Sequence, residues 1–181
     1  MECTQDLEYR DGSFEHVPNL ICVQQMCSKC EAVDDLSIDF EQCGKRVHRF
    51  WQDPVGKFID YLLLSRPFVG NVYVIPHNSR GYDAHFIRRS FLEQRWAPQL
   101  IMDGSKILSM VVEKLHFLDS LNYLPMSLKS MPKSFDLTCK KGYYHQLYGL
   151  SPRTKFYGAD IMSVMNELNF RAGMWGLKTK F

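Results

Sequence analysis

Long apolar runs are missing from this chain. No stretch of its 181 residues approaches a membrane span, and 45% hydrophobic content without one reads as a soluble globular domain with a real core. A bulk charge of one sign is missing too. The formal net charge is only +2, too small to announce a nucleic-acid binder by itself. Met1-Glu2-Cys3-Thr4 is polar and acidic, so no secretory leader is expected. Internal repeats, low-complexity segments and linkers are absent, which excludes solenoids and strings of domains. The expectation is therefore one domain over 1–181 in an intracellular setting, with no membrane.

What is present is patchy. Lys45, Arg46 and Arg49 cluster, as do Arg80, Arg88 and Arg89, and later Lys129, Lys133, Lys140 and Lys141. Local patches of this kind either track phosphates or form ordinary solvated surface. Four of the six cysteines (Cys22, Cys27, Cys30 and Cys43) fall in one short span. That suits metal binding in a reducing compartment better than a disulfide scaffold. Cys27-x-x-Cys30 can clip zinc with two thiolates, and Cys43-Gly44 offers a third in a knuckle-like turn. His48 or Cys22 could complete the set, and the plain alternative is a thiol pair in a loop.

Asn71–Phe91 organises the rest. Asn71–Ile75 is a short apolar run ended by Pro76, which predicts a buried strand. A polar turn with Gly81 follows. Ala84, Ile87 and Phe91 then recur at helical intervals, predicting a helix from about Tyr82. Asp83 shares the inward face of Phe86 and Ile87. A carboxylate at a helix start, facing the end of a buried strand, suits a hard metal ion. The bland reading is that Asp83 caps the helix and Asn78 makes a turn.

Elsewhere the pattern is plainer. Val17–Val23 reads as a turn into a strand. Asp53-Pro54 starts a helix whose stripe Val55, Phe58, Ile59, Leu62 and Leu63 runs to Leu64. Leu100 to Val112 reads as a hairpin around Asp103-Gly104, and Leu115–Leu118 as a further strand. Leu124–Leu128 opens a short helix expected to stop near Pro132. Thr138–Tyr148 interleaves Lys140 and Lys141 with Tyr143, Tyr144 and Tyr148. That segment either stacks bases or is a tyrosine-rich loop over the core. Asp160–Phe170 carries a helical stripe. A strand, a helix and an antiparallel meander predict an α/β fold, a mixed sheet flanked by helices.

Four segments together resemble the 3′–5′ exonuclease region of protein-primed family B DNA polymerases, in the branch of Maverick/Polinton elements and related viruses and plasmids. Met1-Glu2-Cys3-Thr4-Gln5 resembles the first motif, Asp-x-Glu-x-Thr. His77 to Asp83 resembles the second, an Asn followed by an aromatic-Asp pair. Asp119 to Met126 resembles the Ser-Leu-x-x-hydrophobic segment that holds a single-stranded primer end. Pro132 to Tyr143 continues the match, and the cysteine insertion at about 22–49 fits the branch.

The resemblance implies an RNase H-like 3′–5′ exonuclease fold and two-metal phosphodiester hydrolysis, with ions about 3.5–4 Å apart held by carboxylates. Glu2 and Asp83 are then the catalytic, Mg²⁺- or Mn²⁺-binding residues. Asn78, Tyr82, Ser120 and Leu121 hold single-stranded DNA, and Cys27, Cys30 and Cys43 hold a structural Zn²⁺. The parent protein would be a DNA-directed DNA polymerase working with a terminal protein, in the nucleus where a chromosomal mobile element encodes it.

The chain departs from the pattern in places. The first-motif Asp would precede Met1, the third motif (Tyr-x-x-x-Asp) would follow Phe181, Phe40 replaces a family cysteine, and no polymerase half is visible. The expectation is thus an incomplete exonuclease domain, clipped at both ends and inactive or weak alone. The other readings are a non-catalytic nucleic-acid-binding module and a degraded mobile-element remnant.

Overall fold

Seven strands and three short helices follow one another in the computed structural model, which describes residues 2–9, 11–28, 30, 39, 41, 44–63 and 70–137, with backbone alone for 2–8 and 14. In chain order they are β1 (Glu2–Glu8), β2 (Phe14–Gln24), β3 (Val47–Phe50), α1 (Pro54–Leu63), β4 (Val72–Val74), α2 (Asp83–Glu93), β5 (Gln99–Asp103), β6 (Lys106–Val112), β7 (Leu115–Leu118) and α3 (Met131–Ser134), with a single 3₁₀ turn at Ser120–Asn122. The fold is α/β. It has a three-stranded sheet ordered β1-β2-β3 and a four-stranded mixed sheet ordered β4-β7-β6-β5. β1 and β2 are antiparallel; in the mixed sheet β4 runs parallel to β7, and the other pairs are antiparallel. No helix among the described residues is long and apolar enough to cross a membrane.

The chain divides into two compact units, Met1–Val23 with Arg49–Pro125, and Gln24–His48 with Met126–Phe181. The first holds the core. The registers Val72↔Leu115, Val74↔Phe117, Met110↔Phe117, Val112↔Leu115 and Leu100↔Met110 place these side chains on one face of the mixed sheet. Ile59 from α1 and Ala84, Ile87 and Phe91 from α2 belong to the same buried cluster. Phe91 meets Phe117 edge-on, ring centroids 5.8 Å apart. The inward stripe of α2 is therefore the predicted one. Truncating a fully buried ring like Phe91 typically costs about 3–5 kcal/mol.

α1 starts as its sequence dictates. Gly56 N donates to Asp53 Oδ1 at 3.2 Å, and Pro54 fills the first helical position. A Cβ added to Gly56 would run into that capping carboxyl. The hairpin β5–β6 turns at Gly104, whose φ of +58° suits a residue without a Cβ.

Three sequence expectations need correction. β4 is shorter than Asn71–Ile75 and is not buried throughout: Tyr73 is 41% and Ile75 45% exposed. Among the described residues it is an edge strand paired only with β7, so it packs one face and shows the other. β2 begins at Phe14 and not in a turn at Val17. Its Pro18 sits at the register shift opposite Cys3 and Thr4, where a missing N–H is tolerated. Pro132 does not stop a helix; it lies in the first turn of α3. The helix expected to run to Leu64 is seen from Pro54 to Leu63, and Leu64 lies outside the described residues. Cys43, Thr138–Tyr148 and Asp160–Phe170 lie outside the described residues.

Candidate functional site

The candidate site is built where two segments distant in sequence meet: the loop after β4, and the turn after β7. β4 and β7 are parallel neighbours, so their C-terminal ends open at the same edge of the sheet. Each must leave the sheet with unpaired backbone groups, and the side chains there supply the partners.

Asp119 does most of this. Its Oδ1 accepts from Asn78 N at 2.8 Å and Leu121 N at 2.9 Å, and its Oδ2 accepts from Arg80 N at 2.8 Å. The residue is 2% exposed, and a buried carboxylate needs such donors. Ser120 adds two more ties. Its N donates to Pro76 O at 2.9 Å, and its Oγ donates to the same oxygen at 3.0 Å. With that proton committed, the Ser120 oxygen is left to accept from His77 Nδ1, 3.0 Å away. These bonds hold Asn78 at a φ of +61°, a left-handed conformation Asn tolerates better than most residues.

Asp83 opens α2 from this loop. Ser79 O accepts from both Tyr82 N and Ala84 N at 3.0 Å, which starts the helix. The N-cap is Tyr82, with no side-chain capping bond, so Asp83 is not the cap of the bland reading. Its carboxylate stands in the first turn, where the helix dipole favours negative charge. Burial nevertheless pushes its pKa up to about 6; the chain's amino-terminal charge opposes the shift and the Asp119 carboxylate adds to it. Among the described residues the Asp83 side chain has no hydrogen-bond partner.

The other expected residues fall as follows. Glu2 lies in β1 opposite Ile21, itself a member of the buried cluster that includes Ala84. The position of its side chain lies outside the described residues. Tyr82 is 39% exposed, its ring edge-on to His16 of β2 at 5.3 Å and to Phe86 at 5.1 Å. The β1–β2 hairpin therefore reaches the start of α2. Ser120 is buried and Leu121 half-buried. In the second unit, Cys27 N donates to Cys30 Sγ at 3.1 Å in a tight turn, and Cys30 is fully buried. Cys43 is not among the described residues.

Asn78, Tyr82, Asp83, Ser120 and Leu121 are thus brought to one edge of one sheet. Sequence reasoning missed Asp119 and Asn122. The signal for Asp119 was present: an Asp directly after a strand, two residues before the N–H it accepts, is the usual local mark of an Asp-started turn. Its longer-range bonds to Asn78 and Arg80 leave no such mark.

Among the described residues no group of three or more His, Cys, Asp or Glu side chains could hold a metal ion. Asp119 cannot be recruited easily, because both its oxygens are taken by backbone N–H groups. The described donors alone therefore do not make a two-metal site. No family model matches the chain, and neither does any curated protein or solved structure.

Proposed function

We propose that this chain is most of the proofreading region of a protein-primed family B DNA polymerase, with an RNase H-like core. Its substrate is the single-stranded 3′ end of a primer. One observation supports the reading above the others. The segment resembling the second exonuclease motif and the segment resembling the strand-gripping Ser-Leu motif are knitted together, through Asn78–Asp119, His77–Ser120 and Arg80–Asn122. Two segments meant to act on the same strand end ought to be neighbours, and these are.

In this reading Asp83 is a metal-binding carboxylate and Glu2 a second, both for Mg²⁺ or Mn²⁺. Asn78 and Tyr82 face the strand. Leu121 lies along it, and Ser120 serves by fixing the loop through its hydroxyl. Cys27 and Cys30, with Cys43, form a zinc turn. The carboxylates among the described residues are too few for the cluster that two metal ions need. Hydrolysis by the chain alone is accordingly expected to be weak or nil, because the bound metals supply both the activated water and the stabilised leaving oxygen.

The test is degradation of 3′-labelled single-stranded DNA with Mg²⁺ or Mn²⁺, comparing the chain with Asp83→Ala. Any slow cleavage should vanish in the variant. Robust cleavage that survives the substitution removes Asp83 from the chemistry and the reading with it.

A further inference from the structure

Arg80, Arg88 and Arg89 form one basic patch in sequence, but their side chains are employed differently. Arg89 is spent on carboxylates. Its Nε donates to Glu93 Oε1 at 2.9 Å, and its Nη1 lies 3.6 Å from Glu15 Oε1. Arg88 is half-buried, with its Nε shielded from solvent. Arg80 is held in place and pairs with no described carboxylate.

Its backbone is fixed on both sides: the N–H donates to Asp119 Oδ2 at 2.8 Å, and the carbonyl accepts from Ile107 N at 3.0 Å. Its Nη1 donates to Asn122 Oδ1 at 3.3 Å. Asn122 is itself oriented, because its Nδ2 donates to Leu108 O at 2.9 Å and leaves Oδ1 for the arginine. The partner that aims the guanidinium is therefore a neutral amide. Among the described residues no carboxylate lies within ion-pair distance of Arg80. An aimed guanidinium that no described carboxylate neutralises, with donors to spare, matches the flat, bidentate demand of a phosphate group.

We propose that Arg80, oriented by Asn122, binds a backbone phosphate of single-stranded DNA beside Asp83. This rests on the nucleic-acid part of the reading above and not on its metals. The loop between β4 and α2 then carries two separable functions: Arg80 attracts the strand, and Asp83 meets its reactive end.

The experiment is binding of a fluorescein-labelled oligothymidylate across a salt series, with Ca²⁺ in place of Mg²⁺ to suppress cutting. Arg80→Gln should weaken binding roughly tenfold, the usual scale for one charged hydrogen-bonding group. It should also flatten the slope of log K against log salt by about 0.7, one phosphate contact on a single strand. Arg80→Lys should keep the slope and lose part of the affinity. Asn122→Ala should lower affinity with the slope intact, because it removes the guide and not the charge. A thermal melt establishes that each variant is folded, and if Arg80→Gln is not, the Asn122→Ala and Arg80→Lys pair decides. Unchanged affinity and slope in Arg80→Gln, or a parent that binds no strand, overturns the proposal. Loss of binding in Arg80→Gln together with robust cleavage that survives Asp83→Ala would sink the metal reading and leave this one standing.

Discussion

Two aspartates stand at the same edge of the sheet, and their surroundings are opposite. Asp119, after β7, accepts three backbone N–H bonds and is almost wholly buried. Asp83, at the start of α2, is partly buried, and its side chain has no hydrogen-bond partner among the described residues. Burial raises its pKa to about 6. The difference separates a carboxylate used as scaffold from one left open to a ligand. A charge surrounded by fixed donors is already solvated and lowers the energy of the fold. A charge that lacks them is kept at a cost, and such groups concentrate where chemistry is done.

The largest effect should come from the scaffold. Asp119→Ala strands three backbone donors in a buried place and should lower stability by about 4 kcal/mol, read from denaturant melts. A loss under about 1 kcal/mol would mean that these bonds matter little and would erase the contrast.

Asp83 should behave the other way. A carboxyl whose pKa is higher folded than unfolded binds more protons in the native state between those two values. Stability should therefore fall as pH rises from about 4 to about 6, and the penalty should be complete and constant above that. Asp83→Asn removes the penalty and should stabilise the chain by roughly 2 kcal/mol at pH 7, with the gain shrinking towards zero near pH 4. Melts of parent and variant at several pH values measure it. A destabilised Asn variant at pH 7 would place Asp83 with the scaffold.

Ser120→Ala gives the smallest effect. It removes the Oγ bonds to Pro76 O and His77 while leaving the backbone bond from Ser120 N, and should cost about 1 kcal/mol.

Much of this was legible beforehand, for physical reasons. The stripe of Ala84, Ile87 and Phe91 is a local period, and a helix with one apolar side has few ways to bury it. The Asp53-Pro54 start is local as well. The edge position of β4 was not legible, because Val72–Val74 spells the same residues whether one face or both are covered. The part played by Asp119 was only half visible. Its bond to Leu121 is written in the adjacent sequence, but its bonds to Asn78 and Arg80 depend on β4 and β7 being parallel neighbours. The patch of Arg80, Arg88 and Arg89 looks uniform in sequence, and only its partners distinguish its members.

The most direct test of the contrast is a Mn²⁺ titration followed by paramagnetic broadening of backbone amide resonances. Broadening should centre on Tyr82, Asp83 and Ala84 in the parent and disappear in Asp83→Asn, with the Asp119 turn affected only by its nearness. Broadening that centres elsewhere, or that persists unchanged in Asp83→Asn, would contradict the assignment of Asp83 as the open carboxylate.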